Sequence, residues 1–352
     1  MNTTLQINPG PRSHRLGLLA ILAGLIMLHG SCEKLFMEED AGRDPVTVFE
    51  EIWTFADRHY SFFEEKGVDW DAVYDEYRPR VQPGMNSIEL FDLCADMLYE
   101  LRDGHVNLVS SFDRSRYWQW YLDRPENFYY AIIERHYFKG RQRYVGPLQF
   151  AFLQNNVAYV YYPSFAQGVS EGNLDLIINS LGNSPGLIID VRSNGGGDPT
   201  NGSDIASRFT EKKVFVGTNY VKNGPGHEDF RSYPVYIEPH DGLRYDGPVV
   251  VLTNRRSYSA TTYFAQYMRE LENVTLVGDT TGGGGGLPAF WDLPNNWLLR
   301  VSSSRFYDPG GQSIEPGVPP HILAEIPEVS DSLPLTEDPI LERAIQRILT
   351  GR

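Results

Sequence analysis

The stretch Val249–Val277, which reads VVVLTNRRSYSATTYFAQYMRELENVTLV, constrains this chain more than any other. Its opening apolar run, Val249–Leu252, is too short for a helix and rich in β-branched residues, so it is a buried strand. Asn254–Ser257 form a polar break. Ala260–Leu271 then places apolar residues at Ala260, Tyr263, Phe264, Met268 and Leu271, the spacing of a helix packed on one side. Ser259 therefore stands at a strand-to-helix junction, where the first backbone N–H groups have no intrahelical partner. A hydroxyl beside free donors is what acyl transfer needs for a nucleophile and an oxyanion hole. A plain helix cap by Ser257 or Ser259 fits the same position, and taken alone this stretch favours the cap.

A second unit of the same kind lies upstream. The apolar run from Gly186 ends in Asp190-Val191-Arg192, then a glycine-rich turn Ser193-Asn194-Gly195-Gly196-Gly197-Asp198 precedes a helical pattern at Asn201–Phe209. Such a turn brings backbone amides together at the carboxyl end of a strand. It is not a phosphate loop, because no Gly-Lys-Ser/Thr follows and no GxGxxG is present; Gly282–Gly286 fails the same test. With strands at Leu148–Leu153 and Val157–Tyr162 and a helix near Leu174–Leu181, residues 148–280 alternate strand and helix, an α/β core.

The amino-terminal third is helical. Asp44-Pro45 opens a helix with the stripe Val48, Phe49, Ile52, Trp53 and Ala56. A second helix surrounds Trp70–Tyr77, and a third runs from Asn86 to about Leu101, with Glu89 as capping-box partner. Cys94 lies on the apolar face of that third helix and reads as core. Gly104 stops the helix, and His105 follows the turn into a strand, Val106–Val109; by itself His105 reads as structural. Residues 111–145 are aromatic and charged without a clean period, a cap or groove wall. Strands follow at Trp297–Ser302 and Ser304–Tyr307, then Glu315 in a turn-rich segment, where a solvated turn is its simplest role. A helix at Pro339–Leu349 closes the chain.

The first residues belong to export rather than fold. Arg12 and Arg15 precede the apolar run Leu16–Leu28, too short for a confident membrane span, and small residues lead to Cys32. This resembles a bacterial lipoprotein signal, with Cys32 as the lipidated first residue, although His29 departs from the usual pattern. The acidic cluster Glu33, Glu38, Glu39 and Asp40 resembles surface-export tags of Gram-negative lipoproteins. An ordinary signal peptide with an incidental cysteine is the alternative. The expected organisation is a signal at 1–31, a tether at 32–43, a helical subdomain at 44–110, an aromatic connecting segment at 111–147 and the core at 148–352. The expected location is the bacterial cell envelope, lipid-anchored.

The net charge of −15 argues against a nucleic-acid partner. No HExxH and no clustered Cys/His spacing occurs, so no metal or organic cofactor is implied.

Three segments, taken in order, resemble the C-terminal processing (tail-specific) serine peptidase family, which includes the tricorn protease core and a retinoid-binding relative. They are Asp190-Val-Arg-Ser-Asn-Gly-Gly-Gly197, Asn254-Arg-Arg-Ser-Tyr-Ser-Ala260 followed by Val277-Gly-Asp-Thr-Thr281, and Gly311-Gln-Ser-Ile-Glu-Pro-Gly-Val-Pro-Pro320. The resemblance covers roughly residues 45–330 and implies a crotonase-like (ClpP/crotonase) α/β core with Ser259 as nucleophile. The lysine of the serine–lysine branch is missing: Gly284 stands in its place, and no lysine lies between Ser259 and Arg352. The histidine-using, tricorn-like branch fits better, with Leu101-Arg-Asp-Gly-His105 supplying the base and Glu315 the orienting carboxylate. Oxyanion donors are then expected from the amides of Ala260 and of Gly196 or Gly197, while Asp190 and Arg192 hold the strand end in place.

Only about forty residues separate His105 from the first core strands, roughly half of what a peptide-binding PDZ module needs, so that module is expected to be absent or vestigial. His321 stands where the family usually has Asp, with no evident physical reason. The implied activity is endopeptidase or carboxy-terminal processing of peptide or unfolded protein through an acyl-enzyme. A non-catalytic peptide or small-ligand binder on the same scaffold is the alternative.

Overall fold

The computed structural model describes residues 44–122, 124–326 and 336–351. The expected signal at 1–31, Cys32 and the expected tether through residue 43 lie outside the described residues.

Local capping chemistry fixes the amino-terminal helices. The Asp44 carboxylate accepts the Thr47 amide at 3.0 Å and starts α1 (Pro45–His59). The short α2 (Phe63–Lys66) is closed by Gly67 at φ 61°, a left-handed conformation that glycine adopts without a Cβ penalty. After α3 (Trp70–Tyr77), the reciprocal Asn86–Glu89 capping box starts α4 (Ser87–Tyr99). These helices bury Phe49, Ile52, Trp70, Phe91, Cys94 and Met97. Each such side chain contributes roughly 1.5–3 kcal/mol on leaving water.

Beyond α4 the chain forms β1 (Asn107–Val109), β2 (Arg114–Arg116), the single-turn α5 (Gln119–Leu122) and, after a further helical turn, the hairpin β3 (Arg143–Val145) and β4 (Leu148–Phe152). Next come β5 (Ala158–Tyr161), α6 (Glu171–Leu181), β6 (Leu187–Asp190) and α7 (Pro199–Ala206). A long hairpin, β7 (Val214–Lys222) and β8 (Phe230–Ile237), interrupts the alternation. It resumes with β9 (Val249–Thr253), α8 (Ala260–Arg269) and β10 (Val274–Gly278). The last elements are β11 (Pro288–Asp292), β12 (Leu298–Ser302), β13 (Ser304–Tyr307), β14 (Ile322–Leu323) and α9 (Pro339–Thr350).

These strands build three sheets. The central one is seven-stranded and mixed, in the order β14-β10-β9-β6-β5-β4-β3, parallel from β14 to β5 and antiparallel at β4 and β3. Its inner strands β5, β6 and β9 are buried along their whole length, as parallel strands covered on both faces must be. A second, antiparallel sheet runs β11-β12-β1-β2, and a third runs β13-β7-β8. Leu108, Leu299 and Val301 of the second sheet share the core of the amino-terminal helices, so α1–α4 rest on strands from both ends of the chain.

His321 has a structural part to play. Its Nδ1 accepts the Leu276 amide at 2.9 Å and its own amide donates to Leu276 O at 3.0 Å, which fastens the edge beside β10.

Candidate active site

The turn between β9 and α8 is knotted before Ser259 is reached. Ser257 is buried, donates to Val191 O at 2.8 Å and accepts the Asn254 amide at 3.1 Å, so this serine is structural. Asn254 Oδ1 accepts the Ser193 amide at 2.8 Å and ties the turn to the glycine-rich loop. Ser259 itself has φ 62° and ψ −122°, a conformation that costs a non-glycine residue about 1–3 kcal/mol. Its amide donates to Gly283 O at 2.9 Å, and its carbonyl accepts from Thr262 and Tyr263. Ser259 occupies the N-cap position of α8 without capping it. Its hydroxyl lies instead 2.8 Å from His105 Nε2. The two residues are 154 positions apart in the chain.

His105 is brought there by the turn between α4 and β1. Asp103 Oδ1 accepts the His105 amide at 2.7 Å, and Ser302 on β12 donates to Asp103 Oδ2 at 2.8 Å. The imidazole is 2% exposed and packs edge-on against Tyr258, ring centroids 4.9 Å apart. Burial lowers its pKa to about 3, aided by the positive charges of Arg300 and Arg116 and opposed by Asp103. The ring is therefore neutral at ordinary pH, the state in which Nε2 can accept the serine proton. Its Nδ1 is buried and meets no side-chain acceptor among the described residues; the Gly286 backbone is the group beside the ring that, with Asp103, favours its protonated form.

The contacts of Glu315 differ from the expected role. Its carboxylate does not hold the imidazole: Oε1 lies 2.8 Å from Lys66 Nζ, and Oε2 accepts the Gly285 amide at 2.8 Å. The cause is electrostatic. Lys66 reaches inward from the end of α2, 3.8 Å from Asp103 as well, and is the cation nearest both buried carboxylates. Two carboxylates share one ammonium. Burial and the Asp103 charge push Glu315 up to about 7, against the pull of Lys66 and the Gly285 amide. Asp103 is also pushed up by burial, but Lys66, His105 and Ser302 outweigh this and lower it. Neither Lys66, in the charged turn Glu64-Glu65-Lys66-Gly67, nor the Asp103 carboxylate carried a sequence signal beyond proximity to His105.

The expected oxyanion donors divide. Ala260 is the first residue of α8, and its amide has no acceptor among the described residues. Gly196 presses against the nucleophile: a Cβ there would lie 2.8 Å from Ser259 Cβ and 2.7 Å from Tyr258 O. Its amide, however, donates to Asn194 Oδ1 at 3.0 Å. The Gly197 amide has no acceptor among the described residues. Asn194 also accepts from Thr261 Oγ1 at 2.9 Å, which locks the loop to α8. Gly284 faces Tyr258, and a Cβ there would lie 2.6 Å from the ring. The space a lysine side chain would need is filled.

The aromatic segment lies over this junction. Trp120 stacks on Tyr258 with centroids 4.1 Å apart, and Arg255 Nε donates to Trp120 O at 2.8 Å. Asp190 and Arg192 are structural, as expected: Arg192 is fully buried, 2.6 Å from Asp190 and 2.8 Å from Asp338 ahead of α9.

Comparison with known proteins fits this geometry. Residues 156–324 match Peptidase family S41 and residues 43–99 match the tricorn protease C1 domain. A crystal structure from Parabacteroides merdae, named there as a candidate peptidase, is 44% identical with a TM-score of 0.82, covering 88% of this chain and 98% of that one. The chain belongs to peptidase family S41. Two curated relatives share less identity. The carboxy-terminal processing protease CtpA of Bacillus subtilis is 25% identical over 49% of this chain and 36% of its own length. The tricorn protease of Thermoplasma volcanium is 29% identical over 55% of this chain and 17% of its own length. The chain thus spans about a third or less of these curated relatives. Ser259 and Glu315 fall inside the S41 match and Lys66 inside the tricorn C1 match, while His105 lies between the two.

Proposed function

We propose that this protein is a serine peptidase that cleaves peptide bonds through an acyl-enzyme. The observation that carries the reading is the 2.8 Å contact between Ser259 Oγ and a buried, neutral His105 at a strained strand-to-helix turn. His105 Nε2 takes the hydroxyl proton as Ser259 Oγ attacks the scissile carbonyl carbon. The resulting oxyanion is received by the Ala260 amide and, of the two candidate glycines, by Gly197, whose amide is the unengaged one. The imidazolium returns the proton to the leaving amine, and a water activated by the same nitrogen then releases the acyl group. Asp103 is the carboxylate that favours the imidazolium; Glu315 acts one step away, through Lys66. The parallel strands with their two βα turns support a crotonase-like description of the core. The leader and Cys32 support export and lipid anchoring at the bacterial cell envelope, and peptide or unfolded protein is the substrate class.

Labelling with a fluorophosphonate tests this directly. Wild type should label, and Ser259→Ala and His105→Ala should not. A folded wild type that stays unlabelled with and without unfolded protein would reject the enzyme and favour a non-catalytic binder on this scaffold.

A further inference from the structure

The outer face of the β11-β12-β1-β2 sheet carries an arginine cluster that makes no direct ion pair among the described residues. Register sets Asn107 on β1 opposite Arg116 on β2 and opposite Arg300 on β12, so the three side chains share one face. Phe290 on β11 is paired with Arg300 and extends the row, and Arg114 lies two residues from Arg116 on the same side. The opposite face, with Leu108 and Leu299, is buried against the amino-terminal helices.

The cluster adjoins the Ser259–His105 pair. Arg116 Nε donates to the carbonyl of Gly104, the residue before His105, at 2.8 Å. Its guanidinium stacks 4.2 Å from the Trp118 ring and lies 5.7 Å from that of Tyr258, the residue before Ser259. Arg300 Nη1 donates to Asn107 Oδ1 at 3.3 Å, and Arg300 Nε is buried with no hydrogen-bond partner among the described residues. Among the described residues, none of Arg114, Arg116 and Arg300 forms an ion pair. Burial and the charges of Arg116 and Arg114 lower the pKa of Arg300, opposed by Tyr258 and by the Asp103 carboxylate, which acts on it from beyond ion-pair distance. In a chain with net charge −15, acidic groups are abundant, yet among the described residues no carboxylate is in direct contact with these cations beside the nucleophile.

We infer that Arg116 and Arg300 receive a carboxylate of the peptide substrate and so favour acidic or free-acid substrates at this site. The inference rests on the peptidase reading above. A planar guanidinium held by stacking and a backbone bond offers its remaining N–H pair in the fork that a carboxylate matches. A carboxylate can come from the end of a chain or from an Asp or Glu side chain. Both sources present the same chemistry to the arginines.

Binding separates this inference from catalysis. Fluorescent peptides of one neutral sequence would be prepared with a terminal amide, with a free terminal carboxylate, and with a terminal amide plus one internal Glu. Fluorescence anisotropy with the Ser259→Ala protein, which cannot turn them over, should show about tenfold tighter binding of at least one carboxylate form over the amide. Preference for the free acid identifies tail recognition, and preference for the Glu peptide identifies side-chain recognition. Adding Arg300→Gln or Arg116→Gln should bring the ratio near one, and Arg300→Lys should restore part of it. Raised salt should shrink the ratio in the unmodified sheet, a readout independent of whether the arginine variants fold. Equal binding of all three peptides, or a preference unchanged in both glutamine variants, overturns the inference. Failure of fluorophosphonate labelling overturns the peptidase reading and leaves the binding ratio to be judged by itself.

Discussion

The Glu315 carboxylate lies 2.8 Å from the Lys66 ammonium and not against His105, the partner its family resemblance suggests. Lys66 thus neutralises a buried acidic pair beneath the site. Replacing it with Met leaves Asp103 and Glu315 facing each other without a cation. Loss of one partner from a buried ion pair costs roughly 3–5 kcal/mol. Urea unfolding of Lys66→Met should show a loss of that order, and Lys66→Met/Glu315→Gln should recover part of it. Equal stability of Lys66→Met and wild type would contradict the network.

The titrations of Glu315 and His105 should oppose each other in their effect on stability. Glu315 has a folded pKa of about 7, above its ordinary 4.5, so the folded state holds its proton more tightly. Its stabilisation is complete below the ordinary value and is lost as pH rises through 7. His105 is lowered from 6.5 to about 3, so its contribution is present above 6.5 and is lost as pH falls toward 3. Thermal unfolding of Glu315→Gln should lose the decline that wild type shows from about pH 5 to about pH 8, and His105→Gln should lose less stability in acid than wild type. The labelling rate should likewise lack the acidic limb near 6.5 that an exposed histidine would give. An ordinary histidine limb at that pH would be the failing result.

Backbone strain at Ser259 has its own test. With φ at 62°, any residue but glycine is held in an unfavourable conformation. Ser259→Gly should therefore unfold later than Ser259→Ala, by about 1 kcal/mol or more, although both lose the nucleophile. Equal midpoints would show that the turn is unstrained.

A lysine at position 284 should not restore a base. Gly284 has φ 74°, and its missing Cβ faces the Tyr258 ring. His105→Ala/Gly284→Lys should remain unlabelled by a fluorophosphonate and should melt below His105→Ala. Recovery of labelling would mean that Tyr258 yields to the lysine.

What was legible in the sequence was mostly local. The Asp44 cap, the Asn86–Glu89 box and the βα turn before Ser259 depend on residues a few positions apart, and all three are found. The Ser259–His105 contact became legible only through the family resemblance, with Leu101–His105 matching its histidine-using branch, because nothing local links residues 154 positions apart. Pairing of β1 with β12 is long-range in the same way: Asn107 meets Arg300 through a register that no periodicity announces. Lys66 was hidden for a different reason. A lysine in the run Glu64-Glu65-Lys66 reads as solvated, and only the fold shows its stem turned inward. Glu315 by itself reads as a solvated turn residue and was singled out only by the family resemblance; its partner could not be read, since two buried acids compete for whichever cation the fold delivers.

The central claim is that Ser259, activated by His105, carries the acyl group. Intact-protein mass spectrometry after brief exposure to an activated ester, followed by peptide mapping, measures this directly. The expected result is one acyl adduct, mapped to Ser259 in wild type, absent from Ser259→Ala and formed far more slowly in His105→Ala. An adduct on another residue, or one on Ser259 that forms equally fast without His105, would contradict the account.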